Sequence, residues 1–142
     1  MINVGFIVEG FTEYFLLKSA SFNEFLTRNN IRLVNVINAQ GCGNLLPHNI
    51  EGYIQLLEKD GAEKIVILTD LDRDVCITST KNRIKARPQD VVVVAVQQIE
   101  SWFLACTPAM YNTPRKSDSK FKWKNILNLR YEQGKKKVQC SI

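Results

Sequence analysis

Three carboxylates, Asp70, Asp72 and Asp74, alternate in the stretch "IVILTDLDRD", directly behind the aliphatic run 65–68. Two apart in an extended chain, Asp70 and Asp72 point to the same side. A fourth acid, Glu9, ends the apolar run "INVGFIVE" near the N-terminus. Carboxylates crowded together repel one another unless they take up protons or a cation. Hard oxygen donors left partly open to water suit Mg²⁺, with a substrate phosphate completing its shell. The competing reading is an acidic turn, because Asp and Glu also cap helices that follow strands, and Asp72 or Asp74 is placed to cap the next one.

Which reading holds depends on the elements that position these acids. Four β-branched runs, residues 2–9, 31–37, 64–70 and 90–96, alternate with helical patterns. The third and fourth are nearly continuous apolar stretches, as in parallel strands covered on both faces. In the first helical pattern Thr12 offers an N-cap and Phe15, Phe22 and Leu26 share one face; Glu13, one turn after Glu9, is expected to face solvent or, alternatively, to reach the crevice of Glu9. The second places Ile50, Ile54 and Leu57 on one face, with Pro47 in its first turn and Gly61 as its stop. The third, "VCITSTKNRIKAR", is bounded by Pro88. A fourth begins near Ile99, and its Trp102 and Phe103 are expected to pack on the sheet. Such alternation predicts right-handed crossovers and an α/β, Rossmann-like fold: a four-stranded, mainly parallel sheet with helices on both faces.

Open sheets of this kind bind ligands beyond the carboxyl ends of their strands, where the strand order reverses. In the common order 2-1-3-4 the first and third strands flank that point. Glu9, Asp70 and Asp72 then meet in one crevice from segments some sixty residues apart. Glu100, opening the fourth helix beside the third strand, is a further candidate for a metal site; a first-turn glutamate favoured by the helix dipole is the alternative. The sequence "QGCGN" after the second strand reads as a turn or as a phosphate-approaching loop.

Composition bounds the class. The 142 residues, 45% hydrophobic and 23% charged, fit one globular domain. No apolar run approaches the roughly 18 residues of a membrane span. The first residues lack a basic n-region and read as a strand, not a signal peptide. Cys42, Cys76, Cys106 and Cys140 form no C-x-x-C pair, and with His48 as the only histidine no zinc site or disulfide scaffold is expected. A reducing, cytoplasmic setting is the matching expectation.

The net charge of +5 is uneven. Residues 1–106, the α/β domain, carry ten basic and twelve acidic side chains; residues 107–142, a basic C-terminal extension, carry nine and two. That asymmetry suits a polyanion such as nucleic acid or, alternatively, a solvated tail. Lys81, Arg83, Lys85 and Arg87, around the third helix, are candidate contacts to a nucleic-acid backbone.

"FIVEGFTE" followed by a helix, and "VILTDLDRD" two strands later, resemble the two motifs of the TOPRIM domain, the magnesium-binding module of type IA and II topoisomerases, bacterial primases and overcoming-lysogenization-defect-type nucleases. "GCGNL" and "QIESWFLA" are similar to stretches of a family of small bacterial TOPRIM-like proteins of unknown function. The resemblance covers about residues 3–106. It implies that Glu9 acts as general acid, general base or metal ligand in phosphodiester chemistry. It implies further that Asp70 and Asp72 hold Mg²⁺ (or Mn²⁺) and that Asp74 assists. No topoisomerase tyrosine and no ATP-binding loop is present, so an ATPase would be a separate protein partner. A non-catalytic binding scaffold is the alternative from another class. "ILTDLDRDV" also looks like the aspartate motif of haloacid-dehalogenase-type phosphatases, although there it belongs on the first strand.

Overall fold

The computed structural model describes residues 1–96, 98–99 and 101–102. The elements are β1 (Ile2–Val8), α1 (Phe11–Lys18), α2 (Ala20–Arg28), β2 (Ile31–Asn38), a 3₁₀ turn (Cys42–Leu45), α3 (Pro47–Lys59), β3 (Lys64–Asp70), α4 (Ile77–Ile84) and β4 (Val91–Ala95). The four strands form one all-parallel sheet in the order β2-β1-β3-β4. This is the α/β alternation expected from the apolar runs, in the common strand order 2-1-3-4. The extension 107–142, Phe103 and Glu100 lie outside the described residues.

Alternation along the strands divides the core in two. Val4, Phe6 and Val8 of β1 and Leu68 of β3 pack with Leu17, Phe22 and Leu26 of α1 and α2. Ile7, Ile65 and Ile67 turn to the other face and pack with Ile50, Ile54 and Leu57 of α3 and Ile84 of α4. The central strands are thus buried on both faces, which is why they read as continuous apolar runs. Trp102 packs against the first of these clusters, as expected. No helix among the described residues is long and apolar enough to cross a membrane.

The first helical pattern is not one helix. Ser19 has extended backbone (φ −64°, ψ 147°), and its hydroxyl accepts a hydrogen bond from Phe22 N (3.3 Å), so it caps a second helix. Thr12 is no cap; α1 starts at Phe11 behind Gly10. The break removes the single face expected for Phe15, Phe22 and Leu26. Phe22 and Leu26 are buried, whereas Phe15 is exposed and Glu13 is buried.

Gly5 sets how closely α3 approaches the sheet. A Cβ there would lie 2.9 Å from Leu57 Cδ2 and 3.2 Å from Ala62 Cβ. Gly5→Ala is therefore expected to cost about 1–3 kcal/mol by overpacking, seen as a lower urea midpoint at unchanged slope.

Candidate functional site

β1 and β3 run in parallel register, with Val8 opposite Leu68, so Glu9 leaves the sheet beside Thr69 and Asp70. Glu9 N donates to Leu68 O (3.2 Å), which carries the pairing one residue beyond β1. The Glu9 side chain then bridges the two strand ends. Its Oε2 accepts from Thr69 Oγ1 (2.6 Å) and from Asp70 N (3.2 Å). The chain order reverses between β1 and β3, since β2 lies beyond β1 on one side and β4 beyond β3 on the other. The sequence prediction that Glu9 and Asp70 share the switch-point crevice corresponds to this arrangement.

Asp70 Oδ1 accepts from Ile99 N (2.9 Å), in the segment after β4. Burial, then the charges of Glu13 and Glu9, push its carboxyl from 3.8 to about 7; the Ile99 hydrogen bond opposes this, and Asp72 adds a smaller push in the same direction. Glu13 is thus part of the site, the alternative to the solvent-facing position expected for it. It is 3% exposed, and its Oε2 lies 3.1 Å from where a Gly10 Cβ would stand. The signal that could have found it is the pair Glu9 and Glu13, four apart across the start of a helix.

The other predicted residues are less concentrated. β3 ends at Asp70, and Asp72 has left-handed backbone (φ +46°), so the two do not alternate along an extended chain as expected. Asp72 is exposed, and its Oδ1 accepts from Gln98 Nε2 at 3.5 Å. Asp74 Oδ2 accepts from Thr80 Oγ1 (2.8 Å) and from Arg83 Nε and Nη2 (3.2 and 3.0 Å). The Thr80 hydroxyl, followed by Arg83, holds the Asp74 carboxyl below its ordinary value. Asp74 therefore ties the loop after β3 to α4.

Of the predicted backbone-binding cations, Arg83 is engaged by Asp74, and Arg87 by Asp90 and Glu58. Lys81 and Lys85 are exposed and border a groove of about 480 Å³ that Arg87 also lines. Gly41 N donates to Glu9 O (2.8 Å), which places the "QGCGN" turn beside the crevice. At the end of β2, next to Val8, Asn38 Nδ2 is buried without a hydrogen-bond partner; a phosphate oxygen or an ordered water would satisfy such a donor. Cys42 is a free, exposed thiol. Cys76 is disulfide-bonded, a bridge that the cysteine spacing did not announce.

Among the described residues no group of three or more His, Cys, Asp or Glu side chains stands ready to hold a metal ion. A closed cage of protein ligands is therefore absent there. Mg²⁺ does not need one, being held commonly by one or two carboxylates with water and substrate phosphate. Glu9 Oε1 and Asp70 Oδ2 accept no hydrogen bond among the described residues, while the second oxygen of each carboxylate is fixed in place. Two oriented hard oxygens beside a buried acid fit such an ion. No family model matches the chain, and neither a curated protein nor a solved structure matches it.

The raised Asp70 value has a direct consequence for stability. Between the ordinary carboxylate range and about pH 7 the folded protein binds more protons than the unfolded chain, so stability falls as pH rises through that window. In EDTA the melting temperature is expected to drop from about pH 5 to about pH 8, and Asp70→Asn is expected to flatten that drop and to melt higher than the native protein at the alkaline end. Scanning calorimetry of both proteins across the range checks this.

Proposed function

We propose that this chain is a TOPRIM-like protein that performs Mg²⁺-dependent phosphodiester cleavage or phosphoryl transfer on nucleic acid. The observation that carries the reading is the bridge from Glu9 to Thr69 and Asp70 at the switch point, with Glu13 buried beside it. Carboxylates crowded around a partly buried Asp70 favour a cation or a proton there.

Glu9 and Asp70 would hold Mg²⁺ or Mn²⁺, with Asp72 on the following turn near enough in charge to add to its attraction. When bound, the ion stabilises the charge on the attacking or leaving oxygen of the phosphodiester. The protein's own contribution is orientation. Thr69 and the Asp70 amide fix one Glu9 oxygen, and Ile99 N fixes one Asp70 oxygen. In the absence of a cation, Asp70 near neutral pH shares its carboxyl between the protonated and ionised forms, with the proton on Oδ2 because Oδ1 accepts from Ile99. Glu13 strengthens the negative field at Asp70 and so favours a cation there.

The test is nicking of supercoiled plasmid in Mn²⁺ and then in Mg²⁺. The native chain is expected to nick, and Asp70→Asn and an EDTA control are expected to leave the plasmid intact. Equal nicking by native and variant proteins would sink the reading. A second reading, a non-catalytic scaffold built on the same crevice, draws support from the lack of a three-ligand group among the described residues. It expects no nicking, and weak Mn²⁺ binding that Asp70→Asn leaves unchanged.

A further inference from the structure

Helix α1 carries a feature that the carboxylate crevice does not use. Its exposed side chains are Phe11, Thr12, Phe15 and Lys18. Phe11 and Phe15 are 61% and 67% exposed, yet their rings stack with centroids 6.1 Å apart and planes 27° from parallel. Tyr14 meets Phe15 edge-on at 5.7 Å, and Lys18 Nζ lies 5.8 Å from the Tyr14 ring centre. Three rings and a cation therefore form one continuous line along α1, beginning two residues past Glu9.

The charge on that line has one sign. Glu13, the only acid of α1, is buried towards Asp70. Among the described residues Lys18 has no carboxylate partner; besides the Tyr14 ring, its ammonium meets Asn35 Oδ1, a neutral acceptor, at 3.5 Å. Flat exposed rings beside an unneutralised ammonium match the two halves of a nucleotide, since a base stacks on the ring and the backbone phosphate meets the cation. An aliphatic patch would not show this pairing.

We propose that the Phe11–Phe15 face of α1 is a stacking platform for an unpaired base of a single-stranded nucleic acid, with Lys18 on the adjoining phosphate. The proposal rests on the phosphodiester reading and narrows its substrate. The strand enters along α1 and presents its backbone to Glu9 and Asp70, and a fully paired duplex, with its bases stacked internally, gains nothing from the platform.

The experiment is fluorescence anisotropy of labelled single-stranded DNA and RNA oligonucleotides, with the duplex DNA of the same sequence beside them. The protein is the full chain carrying Asp70→Asn, alone and combined with Phe11→Ala/Phe15→Ala, Phe11→Leu/Phe15→Leu or Lys18→Gln. Both double variants alter only exposed side chains, and circular dichroism verifies their fold. Each is expected to weaken binding of at least one single strand about ten-fold or more while duplex affinity stays unchanged. The leucine pair separates stacking from plain apolar contact. Undiminished binding by the leucine pair, equal losses on single strand and duplex, or no oligonucleotide binding at all would overturn the proposal. So would a dimer that the alanine pair converts to monomer at unchanged oligonucleotide affinity, because the occupant is then a second copy of the chain. Nicking that survives alongside ring-independent binding removes the platform and leaves the phosphodiester reading standing. Ring-dependent binding without nicking does the reverse.

Discussion

One glutamate side chain joins the two strand ends on which the candidate site depends. Glu9 Oε2 accepts from the Thr69 hydroxyl and the Asp70 amide, so the end of β1 and the end of β3 are fixed to each other outside the last backbone pair. A hydrogen bond to an ionised acceptor contributes about 1.5–3 kcal/mol, more than a neutral one. Here it also fixes orientation, because one Glu9 oxygen is held against Thr69 and Asp70 N and the other accepts no hydrogen bond among the described residues. The buried Thr69 hydroxyl is satisfied by the same contact, which a side chain without an acceptor at position 9 would not provide.

The bridge brings negative charges together, and the fold tolerates this locally. Asp70 is displaced to about 7 by burial and by its acidic neighbours. Away from the crevice the same loop is neutralised in the usual way. Asp74 pairs with Arg83 and Thr80, and Asp90 pairs with Arg87, so the charges flanking the site are compensated, whereas Asp70 is pushed up by acidic neighbours. This contrast separates a functional candidate from an ordinary acidic turn: within a few residues of one loop, Asp74 has a structural partner and Asp70 has acidic neighbours. Unrelieved like charge at a crevice is the kind of local instability that proteins retain where a ligand relieves it.

Much of the architecture was legible because burial leaves a periodic trace. The runs 31–37 and 64–70 matched β2 and β3 within a residue, and Ile50, Ile54 and Leu57 marked the buried face of α3. The first helical segment was misread for a definite reason. Its apolar residues are spaced as one helix would space them, but Ser19 adopts extended backbone and caps a new helix, which turns the face. Phe15 and Glu13 consequently exchanged places, one to solvent and one to the crevice. Asp72 was misplaced by assuming that the chain stays extended just past the end of β3, where it turns left-handed instead.

The sequence alone determined the class of fold from its hydrophobic period, and the pairing of Glu9 with Asp70 followed once the common strand order was assumed, because crevices open where that order reverses. Only the tertiary structure decided which carboxylates face that crevice and which are held elsewhere. Side-chain direction at a helix start or a strand end depends on where the element stops, and that is set by caps and contacts from distant segments such as Ile99 N on Asp70 and Arg83 on Asp74. Those partners lie 29 and 9 residues away along the chain, beyond the reach of any local pattern.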